Sequence, residues 1–109
     1  MIHLTAEGLQ ARGAYTEVQQ FATAFPEGCD LTPENVRRIA DAGLCIQNFA
    51  RHCLTFEAYT RWENAVRPSW EAYDAARIRT SHAEAWPAHN AVTTEAFIAE
   101  LVRTETQDT

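Results

Sequence analysis

The 109-residue sequence predicts an all-α protein, a compact bundle of four to five helices that forms one domain over residues 1–109. Apolar residues recur every three or four positions along most of the chain, which is the helical period. Two helix starts carry a threonine that can cap them, at Thr32 and Thr55. No segment reads clearly as a strand, and only the polar tail from about residue 104 is expected to fray.

A first helix is predicted over residues 5–25, with Thr5 as its cap. Gly8 and Gly13 each weaken a helix by about 1 kcal/mol relative to alanine, so the first half of this segment is the less stable part. The helix is expected to end at Pro26, because proline cannot continue a helix.

A second helix is predicted over residues 33–53, directly after the Thr32 cap. Its apolar pattern runs through Gly43, so we expect one helix without a break. The alternative is a helix-turn-helix in which three arginines contact phosphates: Arg37, Arg38 and Arg51. This alternative is disfavoured, because it needs a break at Gly43 and three arginines are few for DNA affinity.

A third helix is predicted to begin at Phe56, after Thr55, and to break or kink sharply at Pro68. A proline inside a helix costs about 3 kcal/mol, whereas it is well tolerated in the first turn. We therefore expect a fourth helix from Pro68 to about Thr80.

The last helix is predicted to lie beyond Pro87, which marks a boundary. The run HNAVTT, residues 89–94, reads as a loop, and Thr93 or Thr94 can cap a helix that continues through Arg103.

The charge distribution argues against direct binding of nucleic acid. The net charge is −6, with nine arginines and no lysine, and each end of the chain, residues 1–35 and 81–109, carries five acids against one arginine. Nucleic-acid binding usually needs a basic face, so a basic patch on another protein is the more plausible partner. The start MIHLTAEGLQ lacks the pattern of a signal peptide, and no apolar run is long enough to span a membrane. We expect a cytoplasmic protein.

An aromatic stripe at helical spacing is the main candidate for a functional surface. It comprises five rings within residues 54–80: Phe56, Tyr59, Trp62, Trp70 and Tyr73. Trp, Tyr and Arg are enriched at the residues that dominate protein interfaces. The predicted partner-binding residues are therefore Tyr59, Arg61, Trp62, Arg67, Trp70 and Tyr73. The stripe can equally be the seam of a homodimer or the core of the protein, and a homodimer is the expected resting state.

No catalytic or metal-binding constellation is evident, so we expect neither enzymatic activity nor a cofactor. The four histidines and three cysteines lack the spacings of zinc sites. Cys29, between Gly28 and Asp30 in a predicted loop, is expected to be exposed. It is either an inert surface thiol or the site of a disulfide between subunits.

The size, the acidity, the lack of lysine and the run DAGLCIQNFARHCLTFEAYTRWE together resemble the QslA-like quorum-sensing antiactivators of pseudomonads. The resemblance implies a small protein without enzymatic activity. Such a protein binds a LuxR-type transcription regulator and prevents the active dimer of that regulator from binding DNA. The alternative is a small inhibitor of phage or mobile-element origin that acts on another host protein.

Overall fold

A computed structural model describes residues 2–107, which form six α-helices. The helices are α1 (Ala6–Ala11), α2 (Val18–Ala24), α3 (Pro33–Asp41), α4 (Ile46–Cys53), α5 (Phe56–Arg79) and α6 (His82–Gln107). A 3₁₀ turn spans Tyr15–Glu17, and two short antiparallel strands, β1 (His3–Leu4) and β2 (Cys29–Asp30), join the start of the chain to the segment before α3. The all-α class is confirmed. Six helices replace the predicted four to five, because the first and second predicted helices are each divided in two and the third and fourth are joined as α5.

The predicted caps at three helix starts are confirmed. The Thr5 hydroxyl accepts a hydrogen bond from the Gly8 N–H at 2.9 Å. Thr32 accepts one from Asn35 at 3.1 Å, and Thr55 accepts one from Ala58 at 3.2 Å. Each cap satisfies a backbone donor at a helix start that has no partner within the helix.

The predicted second helix is divided at Gly43, so the expectation of one helix over residues 33–53 is wrong. Gly43 has φ +86°, a conformation that glycine adopts without the steric penalty of a side chain. The chain turns there, and the Leu44 N–H donates to the carbonyl of Ile39. The apolar period continues because Ile39 before the turn and Leu44 and Ile46 after it all enter the core. The first predicted helix is divided in the same way at Gly13, with φ +92°.

The break at Gly43 meets one condition of the helix-turn-helix interpretation, but the arginines are engaged elsewhere. Arg37 makes two hydrogen bonds of 2.9 Å to the carboxylate of Glu95. The guanidinium of Arg38 lies 5.0 Å from the centre of the Phe25 ring. The acidic balance of the whole chain also opposes contact with phosphates.

The predicted break at Pro68, with a separate fourth helix, and the predicted boundary at Pro87 are wrong, because α5 continues through Pro68 and α6 continues through Pro87. A proline leaves the carbonyl four residues before it without its helical donor. Those carbonyls belong to Asn64 and Ala83, which are exposed residues, so water can satisfy them. The cost of each proline is thereby reduced, and packing of the two long helices offsets the remainder.

The run HNAVTT is helical, and its threonines do not cap a helix. The hydroxyl groups of Thr93 and Thr94 donate to the carbonyl of Asn90, at 3.0 and 2.6 Å, inside α6. Helix α6 continues to Gln107, past the predicted start of the frayed tail, and residues 108 and 109 lie outside the described residues.

The long helices α5 and α6 form an antiparallel hairpin, connected by Thr80 and Ser81. The core lies where α1 to α4 cover the inner half of this hairpin, the half near Phe56 and Leu101. Its largest buried side chains include Leu4, Leu9, Phe21, Ile39, Phe49, Trp62, Val66 and Phe97. The outer half, residues 71–92, extends past this core. From residue 74 to residue 84, every residue except Ala76 is exposed.

Candidate interaction surface on the helical hairpin

Trp62 lies in the core, so its predicted role as a surface anchor is wrong. The side chain is 1% exposed and belongs to the buried cluster that joins the short helices to the hairpin. Its indole N–H donates to the carbonyl of Thr93 in α6 at 3.1 Å. The ring of Tyr59 stacks on it, with 5.6 Å between ring centres. Trp62 therefore fixes α5 against α6.

Tyr73 is also buried, at 6% exposure, and its role as a partner-binding residue stays a prediction. It points into the contact between α5 and α6. Its hydroxyl is hydrogen-bonded to Nδ1 of His82, and its ring meets the ring of Trp86 edge-on at 5.8 Å between centres. Tyr73 thus holds the outer half of the hairpin together.

The other predicted partner-binding residues differ in exposure. Tyr59 and Trp70 are half-buried, and Trp70 meets Tyr73 edge-on. The half-buried Arg61 donates to Glu100 at 2.8 Å, an ion pair between α5 and α6. Arg67 is exposed and donates to Asn64 one turn earlier. The six residues share a helix, but they do not form one exposed surface.

A cluster of aromatic rings fills the outer half of the hairpin around His89. His89 is 1% exposed, and its ring centre lies 4.0 Å from that of Trp70. The rings of Tyr73 and Trp86 lie against its other sides, at 5.4 and 5.5 Å. Burial lowers the pKa of His89, although the charge of Asp74 acts in the opposite direction. These rings hold α5 and α6 together on the side of the core that leads to the hairpin tip.

Ser69 and His89 form a polar pair within this cluster, with 2.8 Å between Ser69 Oγ and His89 Nδ1. A nucleophilic serine also needs an acid that orients the histidine and a donor for the oxyanion. The other ring nitrogen of His89, Nε2, is buried and has no hydrogen-bond partner among the described residues. The pair therefore lacks the orienting acid, and its geometry fits a contact between two helices.

An open groove of about 550 Å³ runs along one face of the hairpin, between the two helices. We call it the hairpin groove. The α5 wall consists of Ala65, Pro68, Ser69, Ala72, Tyr73 and Ala76, and the α6 wall consists of Glu84, Ala85, Ala88, His89 and Val92. Five of the eleven lining residues are alanines, and two larger side chains that also line the groove, Tyr73 and His89, pack against each other between the helices. Another helix could approach this surface closely.

The sequence pattern does not predict the hairpin groove, because residues 89–94 read as a loop. With that loop, α6 would have no continuous wall from Ala85 to Val92. The available signal was the alanine spacing: Ala65, Ala72 and Ala76 share one face of α5, as Ala85 and Ala88 share one face of α6. Alanine spacing alone gives no sign of which two helices pair.

A second, smaller cavity of about 350 Å³ lies between α3 and α6. The ion pair of Arg37 with Glu95 lines it, together with Asp41 and Pro87. The Arg37–Glu95 ion pair connects α3 to α6, and the other charged residue that lines the cavity is Asp41 of α3. The cavity therefore offers a ligand little unpaired charge.

Cys29 is buried in β2, so the prediction of an exposed loop thiol is wrong. It pairs with Leu4 of β1 and is 8% exposed. Burial raises the pKa of its thiol, with the charge of Arg38 acting in the opposite direction. A disulfide with a second chain would require this strand pair to open.

Two further searches concern metal ions and membranes. Among the described residues, no three His, Cys, Asp or Glu side chains converge as metal ligands would. No helix within residues 2–107 combines the length and the apolar character that a membrane span requires.

No family model matches the chain, and neither a curated protein nor a solved structure shows significant similarity to it. The likeness to QslA-like antiactivators therefore stays a prediction from the sequence.

Proposed function

We propose that this protein is a cytoplasmic interaction protein without enzymatic activity, which binds a helix of a partner protein in the hairpin groove. The observation that carries this proposal is the open groove between α5 and α6, which leads to a hairpin tip, residues 74–84, that is exposed at every position except Ala76. Following the sequence resemblance, the proposed partner is a LuxR-type transcription regulator. Binding would prevent the active dimer of the regulator from binding DNA.

The dimensions of the groove support a helix as the bound element. From Ala65 to Ala76 the α5 wall extends about 16 Å, which is about three turns of helix. A helix bound in a groove places apolar side chains at positions i, i+3, i+4 and i+7 against it. Because five of the eleven wall residues are alanines, large side chains such as leucine or phenylalanine on the partner would fill the space.

The charge of the chain supports inhibition of a DNA-binding protein rather than binding to DNA itself. The net charge is −6, and Glu84 lies on the groove wall. Regulators that bind DNA carry basic surfaces, and opposite charges accelerate the encounter of two proteins. An acidic protein would thus meet such a regulator efficiently and compete with DNA for it.

The test measures binding of a purified LuxR-type regulator to its labelled DNA site by fluorescence anisotropy while this protein is added. We expect the wild-type protein to release the DNA, and Ala72→Glu to lose this effect because it places a charge in the middle of the groove. Ala83→Glu is the matched control, since Ala83 is exposed and does not line the groove. Equal inhibition by both variants would place the contact outside the groove. No inhibition by the wild type would exclude this class of partner.

A further inference from the structure

The hairpin groove also fits a second copy of the same chain. We infer that, when no partner is bound, two copies pack groove face against groove face around a two-fold axis. In this arrangement α5 of each copy lies across α6 of the partner, with the two hairpin tips at the same end. The inference goes beyond the proposed function, because it concerns the protein alone.

The small side chains on both walls allow this approach. Ala72 and Ala88 lie near the middle of the two walls, and Ala76 and Ala85 lie near the tip. Helices approach closely where small residues meet, and the distance between helix axes depends on the side chains at the contact. Two antiparallel hairpins stacked in this way form a four-helix bundle in which each helix is antiparallel to its neighbours.

Charges at the tip are complementary in this arrangement. Arg79 lies three residues after Ala76, on the same face of α5, and is exposed. Glu84 lines the α6 wall and is also exposed. Within residues 2–107 neither makes an ion pair in its own chain. With α5 across the partner's α6, Arg79 faces Glu84 of the partner subunit, and the two-fold axis forms this pair twice.

The opposite arrangement, in which the tip of one copy covers the inner end of the other, is electrostatically less favourable. Arg79 would then approach the inner part of the partner subunit's α5, where that helix carries a second arginine on the same face. That residue is Arg61, four residues before Ala65. Because Arg61 is already paired with Glu100 of its own chain, this arrangement does not give Arg79 the partner that Glu84 provides in the other one.

The area of the face sets the expected strength of the dimer. From Ala65 to Arg79 the face is about 21 Å long. Two helices of about 10 Å diameter make it about 20 Å wide, or about 420 Å² in flat projection. Stable interfaces bury about 800 Å² on each partner, so this dimer is weak and reversible. Its dissociation constant is expected between about 10 µM and about 1 mM.

A weak dimer of this kind has a consequence for partner binding. The face that pairs two copies is the face proposed to bind a partner helix, so the dimer and the complex with a partner cannot form at the same time. A partner with submicromolar affinity would therefore convert dimer to complex without a separate activating step. If the dimer is absent, the regulator assay can still succeed, and if the regulator does not bind, the dimer can still form.

The test is sedimentation equilibrium of the full chain in reductant, from about 10 µM to about 1 mM, the range of weak association. We expect a reversible monomer–dimer equilibrium. Ala72→Glu and Ala88→Glu should each raise the dissociation constant at least tenfold, and the control Ala83→Glu should change it less than twofold.

Exchanging the charges at the tip tests the orientation of the two copies. Arg79→Glu alone and Glu84→Arg alone should each weaken the dimer about fivefold, a size that fits two exposed ion pairs. The double variant with both substitutions should restore the dissociation constant to within about twofold of wild type, since the pair is only reversed. A protein that stays monomeric at the highest concentration would overturn the inference. So would a dimer that is insensitive to the groove substitutions, or a double variant that fails to recover.

Discussion

Replacing Trp62 with alanine separates the two roles that this residue could have. In the structure the indole is buried against the core, and its N–H donates to the carbonyl of Thr93 on the neighbouring helix. If Trp62 were a surface anchor, the substitution would weaken partner binding at unchanged stability. With the observed burial, we expect the substitution to act on folding.

The expected loss is large relative to the stability of a small protein. Substituting a buried tryptophan by alanine costs about 3–5 kcal/mol, from lost burial and from the cavity that remains. Folded proteins are stable by only about 5–15 kcal/mol. At about 4 °C or more for each kcal/mol, the melting temperature should fall by at least about 12 °C. Trp62→Phe keeps a ring but loses the hydrogen bond, so its loss should be smaller.

Urea unfolding followed by circular dichroism gives the free energy of unfolding of each variant. Phe56→Ala is the control, because Phe56 belongs to the same stripe but is 84% exposed. Its effect should stay within about 0.5 kcal/mol. A loss below about 1 kcal/mol for Trp62→Ala would contradict the burial of this ring. If partner binding fell at the same time, Trp62 would be a contact residue.

Three further predictions concern a buried histidine, the cysteines and two glycines. The pKa of His89 is lowered from its ordinary value of 6.5, so the folded state resists protonation. The contribution of neutral His89 to stability is complete above about pH 6.5 and is lost as the pH falls. The free energy of unfolding in urea should therefore differ less between pH 5 and pH 7.5 for His89→Gln than for wild type. Cys45 is half-exposed while Cys29 is buried, so a thiol reagent should modify Cys45 first, and Cys29→Ser should leave the fast phase of the reaction unchanged. Gly28→Ala should destabilise the protein more than Gly43→Ala: both glycines have positive φ, but an added Cβ at position 28 would lie 2.4 Å from a backbone oxygen, and one at position 43 meets nothing within 4 Å. Equal urea midpoints for the two variants would contradict the close approach at Gly28.

The sequence predicted local features well because they depend on neighbouring residues. The threonine caps at Thr5, Thr32 and Thr55 all form, since a cap needs only a hydroxyl and the backbone three residues later. The helical class follows from the apolar period, which does not depend on how the helices are arranged.

Helix boundaries at glycine and proline were predicted poorly because tertiary packing decides them. Gly43 breaks a helix although the apolar period passes through it, since the residues on both sides still reach the core. Pro68 and Pro87 fail to break their helices, and the residues whose carbonyls lose a helical donor, Asn64 and Ala83, are exposed, so water can reach them. Periodicity and propensity report which residues are buried, but not what buries them.

The aromatic stripe was assigned to the surface for a related reason. A stripe of Trp and Tyr at helical spacing has the same composition whether it contacts a partner or a second helix of the same chain. Here α6 is that second helix, and the sequence does not predict it over its full length because HNAVTT reads as a loop. Once α6 is continuous from His82, its residues Trp86 and His89 supply the contacts that bury the rings of α5.

Burial of the rings also determines what remains outside. On an amphipathic helix, the side chains next to a buried aromatic stripe form the margins of that stripe, and in this hairpin the two margins that line the groove together carry five alanines. An open surface of alanine gains little from contact unless the incoming element brings large side chains. Recognition at this surface would therefore depend on the apolar residues of the partner helix more than on anchors of this chain. Substitutions that enlarge or charge the groove wall, such as Ala72→Glu, should consequently affect association more than removal of any exposed ring on the stripe.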